Sequence, residues 1–222
     1  YIAFAITAGV FLLGLLLGLV IEGKRVDYVQ DHYQEQKLAL SSSQLQYLFF
    51  DRLEEKKNCP AMFTTFYANL EDLEKTRIRL EQYERKATLD KKSFELLERE
   101  YLLAEMRYWL LATDIKTICD FDVVTILYFY SNEQECPECD SQSFVLSYLK
   151  DLFGDRLLTF SFNAELTSET MLDILKKAYN VTSYPTIVVD TETIDGFNNK
   201  DEVLQEICVR FKEKPQECVQ EI

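Results

Sequence analysis

A run of eight residues, VVTILYFY at 123–130, all but Leu127 β-branched or aromatic, is followed after a short polar stretch by Cys136-Pro137-Glu138-Cys139. Such a run, bounded by Asp122 and Ser131, reads as a strand buried on both faces. A sheet covered on both sides needs helices above and below it, and the sequence supplies them. A helix follows from the cysteine pair to about Phe153, then a strand at about Leu157–Phe162 and a helix at about Ser168–Tyr179. Two short strands come at Thr186–Asp190 and Thr193–Gly196, and a last helix at about Asp201–Phe211. The order is β-α-β-α-β-β-α, with a parallel first pair and a closing hairpin.

The segment before that strand is of another kind. From Val26 to about Cys119 the strand signal is almost absent, and Asn58 and Pro60 are the strong punctuation. One helix ends near Lys57, and a second begins at about Pro60, a residue suited to a first helical turn. Asp90 offers an N-cap for a third, after a weak break at 87–89. In the third helix Phe94, Leu97, Tyr101, Ala104, Tyr108, Leu111, Ile115 and Ile118 recur at steps of three and four, the spacing of a coiled-coil seam. In the second, Phe63, Phe66, Leu70, Leu73 and Leu80 do the same, with Arg77 interrupting. In the first, Val26, Val29, Tyr33 and Leu40 form a less regular stripe. The expectation is an all-α antiparallel bundle of about 40 Å.

Ahead of the bundle, Tyr1–Ile21 is uncharged and, at about 1.5 Å per residue, reaches about 30 Å, the hydrocarbon thickness of a bilayer. A secretory leader is the rival reading, but its apolar core is shorter and no small-residue cleavage site precedes Glu22-Gly23-Lys24-Arg25. Residues 1–21 are therefore expected to contact membrane lipid as a single transmembrane helix. Gly14 and Gly18 fit a small-xxx-small dimer seam within it. The resulting division is an anchor at 1–21, a bundle at 22–120, an α/β domain at 121–213 and a tail at 214–222.

Charge excludes one class of partner. The 38 acidic residues outnumber 24 basic ones, split as 19 and 16 in residues 22–121 and as 19 and 8 in 122–222. Nucleic acid needs clustered lysine and arginine, so it is set aside. His32 is the single histidine, which removes histidine-rich metal sites and histidine-based triads from the α/β part.

Strand, CPEC opening a helix, and Tyr184-Pro185-Thr186 before a hairpin resemble the thioredoxin superfamily over about 122–212. The resemblance implies a thiol-disulfide oxidoreductase that exchanges disulfides with protein substrates and a redox partner, without cofactor or metal. By it, Cys136 attacks and Cys139 resolves the mixed disulfide. Pro185 matches the family's cis-proline, and Tyr184, Pro137 and Glu138 flank the substrate position. The chemistry agrees. A cysteine at a helix N-terminus gains from the helix dipole, which favours the thiolate, and two intervening residues keep its partner within reach. Departures bear on direction. Glu133, Glu135, Glu138 and Asp140 add negative charge that disfavours a thiolate, which points away from a strong oxidant. Tyr128 stands where thioredoxins proper carry a buried aspartate, and Glu135 where they carry tryptophan.

Four further cysteines remain. Antiparallel helices place Cys59 and Cys119 at one end of the bundle, where they pair or stay as unrelated buried thiols. Cys208 lies on the apolar face of the last helix with Cys218 ten residues on, giving a second disulfide or, with the CPEC pair, a four-cysteine zinc site. Two such disulfides fit an oxidising, extracytoplasmic compartment, whereas Lys24 and Arg25 beside the span hint at a cytoplasmic one. The alternative to an enzyme is a structural or adaptor protein that uses the bundle and the fold to bind a partner. Asn180-Val181-Thr182 is a glycosylation sequon, and also simply the turn before the proline strand.

Overall fold

In a computed structural model of the chain, residues 7, 9–15, 57–84, 91–167 and 169–220 are described. The chain divides into two compact units, Tyr1–Arg52 and Leu53–Ile222. In the first, residues 9–15 are helical with exposed side chains. No helix among the described residues is long and apolar enough to cross a membrane. Most of the expected span, Gly18 and the expected first bundle helix lie outside the described residues.

The second unit begins with a helical hairpin, α1 (Cys59–Glu84) and α2 (Lys91–Ile118). Asn58 starts α1, its side-chain oxygen accepting the Ala61 N–H, with Pro60 in the first turn. The seam of α1 keeps Phe66, Leu73 and Leu80 of the expected one but departs from it at Phe63 and Leu70. Met62, Phe66 and Thr76 are buried, whereas Leu70 is 40% exposed. The facing stripe is Cys59, Met62, Phe66, Asn69, Leu73, Thr76 and Leu80, at strict three-and-four steps. Asn69 and Thr76 occupy it because each satisfies its polar group on its own helix, donating to the carbonyls of Thr65 and Asp72. Arg77 turns outward between Glu74 and Glu81.

The α/β part follows: β1 (Val124–Tyr130), α3 (Cys139–Phe153), β2 (Leu157–Asn163), α4 (Thr170–Ala178), β3 (Thr186–Val189), β4 (Glu192–Asp195), α5 (Lys200–Cys208) and a short α6 (Glu217–Gln220). The sheet order is β2-β1-β3-β4, with β1 and β2 parallel and the other pairs antiparallel. The element order is the expected one; α6 lies where a tail was expected. On one face Val124, Ile126 and Tyr128, with Ile187 and Val189, share a core with Leu146, Leu149 and Phe153 of α3 and Val203, Leu204 and Ile207 of α5. On the other face point Leu127, Phe129, Phe160, Phe162 and Val188, all fully or almost fully buried.

The helical hairpin belongs to this second face. Besides the seam toward α1, α2 buries a second stripe of Leu102, Glu105, Met106 and Ala112. Tyr108 is shared: its ring stacks on Phe66 at 4.6 Å and lies 5.9 Å from Phe160 of β2. Lys116 reaches Asp190 at 2.6 Å, and Asp190 also accepts the backbone N–H of Thr125, so one carboxylate ties α2, β1 and the β3–β4 turn together. The expected boundary at residue 120 is thus crossed by packing, and hairpin and sheet form one unit. A long helix buried on two sides cannot stand as a separate stalk, because either stripe left in water would expose apolar surface.

Candidate active site

The parallel pair β1–β2 brings Tyr130 opposite Asn163, and the chain leaves β1 into the loop 131–138. Asn132 organises that loop. Its side-chain oxygen accepts the N–H groups of Gln134 and Glu135, its carbonyl accepts that of Cys136 at 2.8 Å, and its amide nitrogen donates to Glu165 in the loop after β2. This local turn is a habit of asparagine. Ser131 donates to Glu135, so the loop delivers Cys136 in one orientation.

Cys136 and Cys139 are joined in a disulfide with Cα atoms 5.4 Å apart. The regular helix α3 starts at Cys139; Cys136 and Pro137 lie in the turn just before it, and no side chain caps α3. The helix end is therefore directed at the cystine, where its dipole favours negative charge. The cystine is well enclosed, with Cys136 2% and Cys139 5% exposed, while Pro137 and Glu138 are exposed beside it.

Tyr128 supports the pair from below. Its hydroxyl donates to the carbonyl of Cys139 at 2.6 Å, and its ring stacks on Tyr130. Burial, helped by the charge of Asp140, pushes its phenol well above the ordinary tyrosine range, so it stays a proton-bearing donor. Gln142, fully buried one turn into α3, accepts the N–H of Asn198 and so links the helix to the loop before α5. The sequence reading did not find Asn132 or Gln142; the asparagine opening a turn was the available signal for the first, and the second had none.

The Tyr184–Pro185 peptide bond is cis, as the resemblance implied. Tyr184 packs against the core cluster that contains both cysteines. The Pro185 carbonyl accepts the Gly196 N–H, and the Thr186 hydroxyl donates to Ser183 and Asp195, which fastens this corner to the β3–β4 hairpin. Gly196 has φ 76, a conformation glycine adopts at no steric cost.

The other four cysteines are also spent: Cys59 pairs with Cys119 and Cys208 with Cys218, each with Cα atoms 5.6 Å apart. The readings of unrelated thiols and of a zinc site shared with the CPEC pair are corrected by this, since every sulfur is bonded to another sulfur. Among the described residues no cluster of histidine, cysteine or carboxylate side chains could hold a metal ion.

No protein-family model and no curated protein matches the chain. Among solved structures, one described as a malarial protein is 21% identical over 40% of this chain and 98% of its own, with a TM-score of 0.33. A second, thioredoxin-2, described as a component of malaria parasite protein secretion machinery, is 22% identical over 37% of this chain and 78% of its own, with a TM-score of 0.30. These likenesses are low and add nothing to the topology read from the sheet itself.

Proposed function

We propose that the chain is a thioredoxin-like thiol-disulfide oxidoreductase working on protein substrates through Cys136 and Cys139. The observation that carries this reading is a cystine at the start of α3, just past β1, with a cis-proline directly before β3, the strand that pairs with that end of β1. In the reducing direction the Cys136 thiolate attacks a substrate disulfide, that S–S bond breaks, and one substrate thiolate leaves and takes up a proton. The Cys139 thiolate then attacks the Cys136 sulfur, and the second substrate thiol departs. The pair has lost two electrons and the substrate has gained them; an oxidase runs the same steps backwards.

The apolar run 1–21 supports a single-pass membrane anchor, with Gly14 and Gly18 as a dimer seam. The two further disulfides support an oxidising, extracytoplasmic setting for the α/β part. One observation favours the second reading, an adaptor: Cys136 is only 2% exposed, so a substrate disulfide must displace neighbours to reach it.

A glutathione redox titration of the chain in detergent micelles, with free thiols counted by mass spectrometry, separates the two readings. A reversible two-electron transition at Cys136–Cys139, with the other cystines intact, is the expected result. A pair that resists reduction until the fold is lost would leave the adaptor.

A further inference from the structure

The charge around the cystine is predominantly negative. β1 and β2 end at the cystine end of the sheet, β3 starts there and β4 returns there, because Phe129 pairs with Thr186 and Thr186 with Asp195. The segments gathered at that end come from stretches without a cation: no lysine or arginine occurs in 131–149 or 178–199. Glu133, Glu135, Glu138 and Asp140 are all exposed, and none of them pairs with a lysine or arginine among the described residues. Glu165 is drawn onto the same loop by Asn132.

Two cations reach the cystine end, Arg99 of α2, paired with Glu169 past β2, and Lys200, paired with Asp201, and neither pairs with these four carboxylates. Other cations sit at the opposite end. Lys150 donates to the carbonyls of Gly154 and Leu157, Arg156 pairs with Asp122, Lys116 with Asp190 and Lys212 with Asp120. These engage the segment just before β1, the β3–β4 turn and the far end of α3, away from Cys136. Carboxylates that no internal cation neutralises leave a negative potential over the one place where a substrate sulfur must arrive. The helix stripe that Asp140 begins continues to Phe144, 76% exposed, so the acidic rim passes into an apolar step.

We infer that the site selects polypeptide disulfides flanked by lysine or arginine. This rests on the exchange reading above and names its substrate class. Two physical effects act together. The rim raises the encounter rate of a cationic segment, and it repels an acidic one at the distance of the mixed disulfide. Both fade as salt shortens the screening length.

The test uses the reduced full chain in neutral detergent and three synthetic peptides with the same disulfide, flanked by lysines, by glutamates or by neutral residues. Exchange rates are normalised to those with dithiothreitol, which removes the effect of peptide charge on intrinsic sulfur reactivity. At about 20 mM salt the lysine peptide is expected to react about tenfold faster than the glutamate peptide, and at about 0.5 M the gap should close. Glu133→Gln combined with Asp140→Asn should narrow the low-salt gap about threefold, read as the ratio of lysine-peptide to glutamate-peptide rates, in which any change these charges make to the Cys136 thiolate cancels. Equal normalised rates, or a preference for the glutamate peptide, overturn this inference alone. Absence of exchange with all three peptides removes the exchange reading and this inference with it.

Discussion

The cystine at 136–139 and the one at 59–119 are built from the same bond and do opposite work. The first joins residues 3 apart, the second residues 60 apart. Loop entropy in the unfolded chain rises with the logarithm of loop length, so on the chain-entropy account the long loop contributes about 4 kcal/mol and the short one less than about 2. The long bond also holds the open ends of α1 and α2 together, directly before β1. The fold leans on Cys59–Cys119 and can spare Cys136–Cys139. A bond that can break without unfolding its protein is what a redox cycle requires. Cys208–Cys218, spanning 10 residues and fixing the short α6, lies between the two.

The largest effect that would break this contrast is on activity. Cys136→Ser is expected to abolish disulfide exchange while changing the melting temperature little, and Cys139→Ser to accumulate mixed disulfides visible on non-reducing gels. Exchange that survives Cys136→Ser would remove the distinction altogether. Next, replacing Cys59 and Cys119 together by alanine should lower unfolding stability by about 4 kcal/mol in a denaturant titration and leave the exchange rate of the folded fraction intact. The corresponding change at Cys208 and Cys218 should cost about 3 kcal/mol.

The hairpin also carries a pH-dependent element that the cystines lack. Burial raises the carboxyl of Glu105 to about 8, against the lowering effect of hydrogen bonds from the Ser161 N–H and the Tyr101 hydroxyl. Its folded pKa lies above its unfolded one, so the folded state binds the proton more tightly. Stability is therefore fully present at low pH and falls as pH rises from about 4.5 to about 8. Glu105→Gln should flatten that slope in melting curves taken across the same window; an unchanged slope would show that Glu105 does not titrate there. The smallest effect is at Tyr128. Tyr128→Phe loses one hydrogen bond to the Cys139 carbonyl and should cost about 1 kcal/mol of stability.

Strands and their order along the chain were legible because VVTILYFY and TIVV carry no charged residue to suggest any face but a buried one. Helix limits near Pro60 and Asp90 were legible from the local chemistry of starts, whereas Asn199, which closes a capping box with Glu202, went unread and the last helix was expected from Asp201. In the α1 seam Phe66, Leu73 and Leu80 were read as they stand, but Met62 and Asn69 replace Phe63 and Leu70, and Thr76 fills the gap at Arg77, because the intrahelical hydrogen bonds of Asn69 and Thr76 cannot be read from spacing. The second stripe on α2, Leu102, Met106 and Ala112, was present in the sequence at steps of four and six. It was passed over because Glu105 sits inside it, and a buried carboxylate looks like a solvent-facing one until its neighbours are known. At the site, the cysteines and Pro185 were legible as a pattern, whereas Gln142 needed the loop at Asn198 to be brought beside it.

Glu105 has another consequence, in the architecture of the sheet margins. Together with Glu98, which accepts from the Asn163 side chain, it reaches β2, the strand at one border, and its oxygen takes the Ser161 N–H that no strand claims. Of the two borders, the one at β2 is thereby closed by a helix of the same chain. The other belongs to β4, four residues long with exposed acidic residues, Glu192 and Asp195, at both ends. Brevity and like charge discourage a second molecule from adding its own strand there. A chain proposed to open its cystine to other proteins would thus keep its sheet unavailable to them.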